Sequence, residues 1–297
     1  MKVVVTGASG LLGRAIFRTF KENGANLNVT GTCLSRPHPE LTVLDLTDPK
    51  AVTEFIDGSS PDLVIHSAAV RTPDTCENDR ETTTRINVDA TRNLVEACHP
   101  SNIPLIYIST DYVFPGTNPP YSPDDTPEPL NFYGMSKRMG EEVVVQSQSP
   151  AAVLRVPVLY GEVENLGESA VTEIAKCLLD DSKTCVLDDW ATRYPTHVED
   201  VALVLLNFCR ILENSGKLPT GIFHWSANQA LTKFQMAQIM AKALGRPTHH
   251  LKGNPQAPPG PLRPRNTQLD TSATLNLVTN PQRDFSEAIF LSIKDFF

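Results

Sequence analysis

The residues best suited to moving a proton lie in two short strings. Ser109-Thr110-Asp111-Tyr112-Val113-Phe114 reads as the end of a buried strand, and Tyr133-Gly134-Met135-Ser136-Lys137 follows further along the chain. Tyr133 and Lys137 are four positions apart, so on a helix they share one face. A phenol with a pKa near ~10 is a slow acid or base at neutral pH. A neighbouring ammonium stabilises the phenolate and lowers that pKa, which makes proton transfer to or from a carbonyl oxygen feasible. Thr110, at its strand end, is placed to hydrogen-bond the same carbonyl. The catalytic candidates are therefore Thr110, Tyr133 and Lys137.

A second constellation lies at the start of the chain. Thr6-Gly7-Ala8-Ser9-Gly10-Leu11-Leu12-Gly13 sits between a strand pattern and a helix pattern. Gly7 suits a tight turn, Gly10 lets backbone approach a pyrophosphate, and Gly13 lets the helix pack close to the strand. The free N–H groups at the helix start, with their partial positive charge, then face the phosphates. The second strand distinguishes the dinucleotide. NAD sites place an acid at its end for the ribose 2′-hydroxyl. Here Leu34-Ser35-Arg36 stands there instead, and a guanidinium with a hydroxyl suits a 2′-phosphate. The expected cofactor is NADP. Asp45-Leu46 would flank the adenine, and the small residues Ser67 and Ala68 lie where a dinucleotide must pass close. Arg71 would hold another phosphate or the nicotinamide side, and Lys137 the nicotinamide ribose.

These strings need a scaffold that brings them together. Apolar strand patterns occur at Lys2–Thr6, Leu27–Cys33, Leu41–Leu46, Leu63–Ser67, Leu105–Ser109 and Ala152–Leu159. Helical patterns occur at Leu11–Asn23, Pro49–Asp57, Thr82–Cys98 and Asn131–Ser147. This alternation predicts an α/β fold with a doubly wound parallel sheet, whose ligands sit beyond the carboxyl ends of the strands. Residues 1–159 are expected to form the dinucleotide-binding domain. Residues 160–297 are expected to form a smaller substrate or partner domain, interleaved with segments returning to the sheet around 196–224. Its helices are expected at Ala170–Asp180, Val198–Glu213, Thr232–Leu244 and Ser286–Phe296. Two proline-rich stretches, Pro115 to Pro129 and Pro255 to Pro264, cannot be regular helix.

Composition excludes several function classes. The 297 residues carry 26 Lys plus Arg against 34 Asp plus Glu, a net charge of −8 that argues against nonspecific nucleic-acid binding. The longest strongly apolar run, Val201 to Cys209, is far short of the ~18 residues of a membrane helix. No secretion signal is visible at the start, so a cytoplasmic protein is expected. The six cysteines never form a Cys-x-x-Cys pair and are expected to be reduced thiols. His249-His250 lacks carboxylate or thiolate company, and no metal is expected.

The chain resembles the extended short-chain dehydrogenase/reductase family along essentially its whole length. The strings Ser109 to Phe114, Tyr133 to Lys137 and Arg263 to Asp270 narrow the likeness to the dTDP-4-dehydrorhamnose reductase group. Tyr112 to Tyr121, Leu159 to Glu164, Tyr194 to Val198 and Phe223 to Ser226 resemble the branch of regulatory β subunits of methionine adenosyltransferase. The reductase resemblance implies hydride transfer from NADPH to a nucleotide-linked keto sugar, with Tyr133 giving the proton, Lys137 tuning it and Thr110 orienting the carbonyl. The β-subunit resemblance implies NADP binding and attachment to the catalytic subunit that makes S-adenosylmethionine. Both imply cofactor contacts at Ser9, Gly10, Leu11, Leu12, Leu34, Ser35, Arg36, Asp45, Leu46, Ser67, Arg71, Tyr133 and Leu159. Animal β subunits carry an N-terminal extension and a docking tail after the last helix. This sequence opens on the first strand and stops at Phe296-Phe297, so either the catalytic-subunit partnership does not carry over or it rests on a different contact.

Several later residues admit two readings. Arg263 either brings charge to a sugar diphosphate or pairs with Asp270. Trp190 and Trp225 either stack on a base or sugar or fill the core. Phe223 to Ser226 reads as a strand end entering the small domain. Phe296-Phe297 is a packed helix end or an exposed anchor.

Overall fold

In the computed structural model, which describes residues 1–278 and 282–297, the chain enters the core at once through β1 (Lys2–Thr6), where Val3, Val4 and Val5 are buried. Helix α1 (Leu11–Asn23) buries Leu12, Ala15, Ile16 and Phe20, the spacing that gives a helix one apolar face. Strands β2 (Asn28–Cys33) and β3 (Leu41–Val43) precede α2 (Pro49–Ser59), whose first N–H groups are capped by the Asp48 carboxylate. β4 (Leu63–His66) is buried at every position. α3 (Pro73–Asn78) and α4 (Arg80–Thr84) lead through a π-helical stretch, Arg85–Asp89, into α5 (Ala90–Cys98). β5 (Leu105–Thr110), α6 (Phe132–Val145), β6 (Ala151–Val156) and the short β7 (Leu159–Tyr160) follow. The remainder supplies β8 (Cys185–Asp188), β9 (Thr196–His197), α7 (Val198–Ser215), β10 (Gly221–His224), α8 (Lys233–Leu244), β11 (Leu251–Asn254), α9 (Ser272–Leu275) and α10 (Phe285–Ile293).

The central sheet has the order β10-β6-β5-β4-β1-β2-β3, and every pairing in it is parallel. The chain winds outward from β1 in one direction and from β4 in the other. The point where that order reverses, between β1 and β4, opens a crevice at the strands' carboxyl ends. One face of the sheet packs on α1 and α7 through Ile16, Phe20, Val201, Leu205 and Phe208. The other packs on α2 and α5 through Val52, Ile56, Leu94 and Tyr107. A separate core, including Tyr160, Ile174, Met236, Met240, Phe285 and Ile289, draws on later segments. Phe296 and Phe297 pack against it, and the Arg246 guanidinium lies over the Phe297 ring at 5.4 Å.

The strand expected over Leu41–Leu46 ends at Val43, the one expected over Ala152–Leu159 is broken into β6 and β7, and three further details differ from the sequence-based expectation. The helix expected over Thr82–Cys98 starts two residues earlier, because Asp79 caps the N–H of Thr82, and it carries the π-helical turn. The helix expected over Ala170–Asp180 is a 3-10 helix at Thr172–Leu178. There the Ser169 and Thr172 hydroxyls take local backbone partners and compete with α-helical bonding. Phe223-His224 ends β10 in the large sheet, as expected of a strand end there, and the chain then passes to α8 in the separate core. Cys177 and Cys185 are disulfide-bonded, which overturns the expectation of thiols throughout; Cys33, Cys76, Cys98 and Cys209 are free and buried. Among the described residues no helix is long and apolar enough to cross a membrane, and no group of three metal-ligating side chains occurs.

Candidate functional site

A cleft of about 520 Å³ runs along the carboxyl ends of the strands. The turn after β1 forms its floor. Gly7 adopts φ +66°, and a Cβ there would meet the Ala68 backbone at 2.8 Å. A Cβ on Gly13 would lie 2.1 Å from the Gly7 carbonyl oxygen, so α1 approaches the turn only because that position is bare. Gly10 is the N-cap of α1 and offers its N–H groups no side-chain partner, unlike the Asp48, Asn131, Thr232 and Asp284 caps elsewhere. The start of this helix is therefore available to an anion. Ser9, Leu11 and Leu12 line the same wall. Leu34, Ser35 and Arg36 follow β2, Asp45 and Leu46 follow β3, and Ser67, Ala68 and Arg71 follow β4; all face the cleft, as does Leu159. Hydrogen bonds from the Thr47 hydroxyl and N–H hold the Asp45 carboxyl below its ordinary value.

The basic side chains of this end are not free. Arg14 donates through both terminal nitrogens to the two oxygens of Glu168, each at 2.7 Å. Arg36 donates to the same carboxylate at 2.9 Å, and Arg71 donates to the Glu168 backbone carbonyl. Burial alone would raise Glu168, but the hydrogen bonds from Arg14 and Arg36 outweigh it and bring the carboxyl down to about 2.

At the other end Thr110, Tyr133 and Lys137 line the cleft together. Asn131 caps α6 by accepting from the Gly134 N–H at 3.0 Å, and so fixes where Tyr133 and Lys137 project. Asn87, in the π-helical turn, ties α6 to the β4 loop: its amide nitrogen donates to Ser136 Oγ and to the Val70 carbonyl, each at 2.9 Å. Burial raises the Tyr133 phenol above its ordinary value, and its hydrogen bond with Thr110 offsets only part of this. Burial lowers Lys137 to about 7 against the attraction of Glu141. The Lys137 Nζ lies over the Tyr107 ring, 4.0 Å from its centre. An ammonium that depresses the phenol was expected; the structure shows desolvation disfavouring both charged forms instead.

Sequence reasoning missed two carboxylates. Asp111 sits beside Thr110, which donates to it at 3.2 Å, and it also accepts from the Thr267 hydroxyl. Burial pushes Asp111 up to about 6, with Thr267, Arg193 and Thr110 pulling the other way. Arg193 reaches the Tyr112 hydroxyl at 3.4 Å. Nothing in the string around Thr267 indicates a partner in the first half of the chain. Glu168 carried no sequence signal beyond lying among other glutamates. Beneath this end, Arg155 donates to Glu141 through Nε at 2.9 Å and Nη2 at 2.7 Å, and the Ser109 hydroxyl also donates to Glu141.

Arg263 pairs with Asp74 at 2.7 Å, not with Asp270, whose carboxylate accepts from the Ser272 N–H. Trp225 is fully buried, while Trp190 is half-buried with the Arg265 guanidinium 5.9 Å from its ring.

Known proteins share this arrangement to different degrees. The chain is 43% identical to the bovine methionine adenosyltransferase 2 subunit beta, over 99% of this chain and 88% of the bovine one. It is 32% identical to a probable low-salt glycan biosynthesis reductase of Haloferax volcanii, over 92% of this chain and 90% of that one. It superposes on a hypothetical dTDP-4-dehydrorhamnose reductase from Sulfolobus tokodaii with a TM-score of 0.82 at 27% identity, covering 96% of this chain and 98% of that one. The RmlD substrate binding domain pattern matches residues 1–297, and the chain belongs to that family, within the extended short-chain dehydrogenase/reductases.

Proposed function

We propose that this protein is an NADP-binding regulatory subunit of methionine adenosyltransferase, acting in S-adenosylmethionine biosynthesis through contact with the catalytic subunit. The observation that carries this reading is the 43% identity to the bovine β subunit, maintained across nearly the whole chain. The cleft fits a dinucleotide. Cβ atoms at Gly7 and Gly13 would close the turn, the start of α1 is free for a pyrophosphate, and Arg36 stands at the end of β2 in place of an acid. Gly7, Ser9, Gly10, Leu11, Leu12 and Gly13 would hold the pyrophosphate, and Leu34, Ser35 and Arg36 the phosphorylated ribose. Asp45 and Leu46 would flank the adenine. Ser67, Ala68, Arg71 and Leu159, with Tyr133 and Lys137, would line the nicotinamide half. We assign residues 1–159 to this cofactor role, and 160–297, apart from the segments around 196–224 that return to the sheet, to the partner. The cytoplasm is the proposed compartment, a setting in which the four free buried thiols stay reduced; the Cys177–Cys185 bond pulls the other way.

A second reading, NADPH-dependent reduction of a nucleotide-linked keto sugar, is favoured by Thr110, Tyr133 and Lys137 lining one wall. Bound NADPH would supply the hydride. Tyr133 would give its proton to the carbonyl oxygen, Thr110 would hold that oxygen, and Lys137, poised near neutrality, would tune the phenol. Burial of Tyr133 excludes water but makes phenolate costly, so this chemistry relies on Lys137 carrying its charge.

Pull-down with a methionine adenosyltransferase catalytic subunit separates the two. A stable complex that survives Tyr133→Phe is the expected result. No complex, together with NADPH oxidation on adding a dTDP-4-keto-6-deoxy sugar and its loss in Tyr133→Phe, would reverse the assignment.

A further inference from the structure

Glu168 occupies an unusual place for a carboxylate. It ends the 3-10 turn Leu166–Glu168, its side chain is only 5% exposed, and both oxygens are taken by guanidinium groups. The Glu164 N–H adds a further bond to it at 3.1 Å. Of the two arginines that bond its carboxylate, Arg36 lines the cleft and Arg14 lines the neighbouring cavity. Arg36 lies against the turn itself, since a Cβ on Gly10 would come within 3.8 Å of its Nη2. Arg14 is additionally held to the turn by its bond to the Ser9 carbonyl at 2.9 Å. A cavity of about 730 Å³ opens on the far side of Arg14 and Arg36, so these side chains have room to move when their partner changes.

We infer that Glu168 is an internal counter-ion to Arg36 that sets how strongly the cleft prefers a 2′-phosphorylated dinucleotide over an unphosphorylated one. This role of Glu168 rests on the dinucleotide reading above and goes one step past it. A ribose phosphate brings about −1.5 to −2 charges at neutral pH. To reach Arg36 it must take that guanidinium from the Glu168 carboxylate and so give up a charge-assisted hydrogen bond. A 2′-hydroxyl brings no charge and meets no such opposition. Glu168 therefore spends part of the selectivity that Arg36 alone would give. Arg14 and the pyrophosphate enter both complexes alike, so the ratio of the two affinities isolates the effect at the 2′-position.

The test is calorimetric titration of the full chain with NADP and with NAD, for wild type, Glu168→Gln, Arg36→Ala and the double variant. Glutamine keeps the size and one acceptor oxygen but removes the charge. The expected result is a NADP-over-NAD affinity ratio raised about tenfold in Glu168→Gln, about 1.4 kcal/mol of discrimination. Arg36→Ala should bring the ratio close to one, and the double variant should match it, because Glu168 acts through Arg36. Glu168→Asp, which draws the carboxylate back by one methylene, should lie between wild type and glutamine, and it serves if the glutamine variant does not fold. A merely structural Glu168 would shift both affinities together. A ratio within twofold of wild type in the folded variant overturns the inference while leaving dinucleotide binding intact, as does an equal effect of Glu168→Gln with Arg36 removed. Wild type binding neither dinucleotide removes the cofactor reading as well.

Discussion

At the Arg36 end of the cleft, charged side chains meet in a half-open setting and keep their charges by pairing; Arg36 is 46% exposed and Glu168 is held at about 2. At the Tyr133 end, Asp111 and Lys137 are buried and both are driven toward neutrality, Asp111 up to about 6 and Lys137 down to about 7. The same cost acts in both places, since removing a charge from water is unfavourable. At the first end two arginines answer it. At the second, the nearby opposite charges are outweighed. One end is thus suited to gripping a charged ligand, the other to holding protons near the pH where they are easily exchanged.

Glu141 is the exception that supports the buried end, and removing it should have the largest effect. Its side chain and that of Arg155 are 5% and 1% exposed, and they are joined in two hydrogen bonds. Glu141→Ala leaves the Arg155 guanidinium buried with His224 Nε2 at 3.3 Å and the Pro123 carbonyl at 3.5 Å, neither of which neutralises it. Breaking a buried pair in this way costs about 3–5 kcal/mol. Urea unfolding of wild type and variant gives the difference directly. A loss under about 1 kcal/mol would mean that water reaches Arg155, and the contrast between the two ends would no longer hold.

The buried end should also show in the pH dependence of stability. Asp111 faces Thr110 on its own strand's end, Thr267 from the last third of the chain, and the Arg193 charge. Its folded pKa, about 6, lies above the ordinary 3.8, so the folded chain binds this proton more tightly than the unfolded one. The stability it contributes is present below pH about 4 and is lost as pH rises through about 6, a change of about 3 kcal/mol for a shift of about two pH units. Asparagine at 111 keeps an acceptor and never ionises. The unfolding free energy of wild type minus that of Asp111→Asn should therefore fall by about 2 kcal/mol between pH 4 and pH 7. A difference that stays flat would show that Asp111 ionises normally and that Arg193 governs it.

Most of the fold was legible because its cause is local. The α1 boundaries, Leu11 and Asn23, follow from apolar spacing, and the wholly buried β4 and β5 follow from continuous apolar runs. The glycine turn was legible for the same reason: Gly7, Gly10 and Gly13 lie within one loop and its helix. What escaped were contacts between residues far apart in the chain. Glu168 meets Arg14 across 154 positions, and Thr267 meets Asp111 across 156. No periodicity announces such a pair. The sign of the Tyr133 shift escaped for a related reason: spacing placed Lys137 nearby, but only the packing of Tyr107, His66 and α6 reveals how dry the site is. The 3-10 helix at Thr172–Leu178 was read as α-helix because its apolar spacing suits both, and the Ser169 and Thr172 hydroxyls decide.

The smallest effect is expected where charge is most open, and it tests the comparison from the other side. Arg36→Ala removes one of the guanidinium groups on Glu168, but Arg14 keeps both of its 2.7 Å bonds to that carboxylate. Nothing buried is left unpaired, and the lost partner was nearly half exposed. Such a pair contributes about 0–1 kcal/mol. Thermal unfolding without added nucleotide should therefore hardly separate Arg36→Ala from wild type, even though the same substitution is expected to erase the preference for a 2′-phosphate. A loss approaching that of Glu141→Ala would mean that Glu168 depends on both arginines as Arg155 depends on Glu141. The Arg36 end would then be a structural clasp, and a phosphate could not take Arg36 from it without loosening the fold.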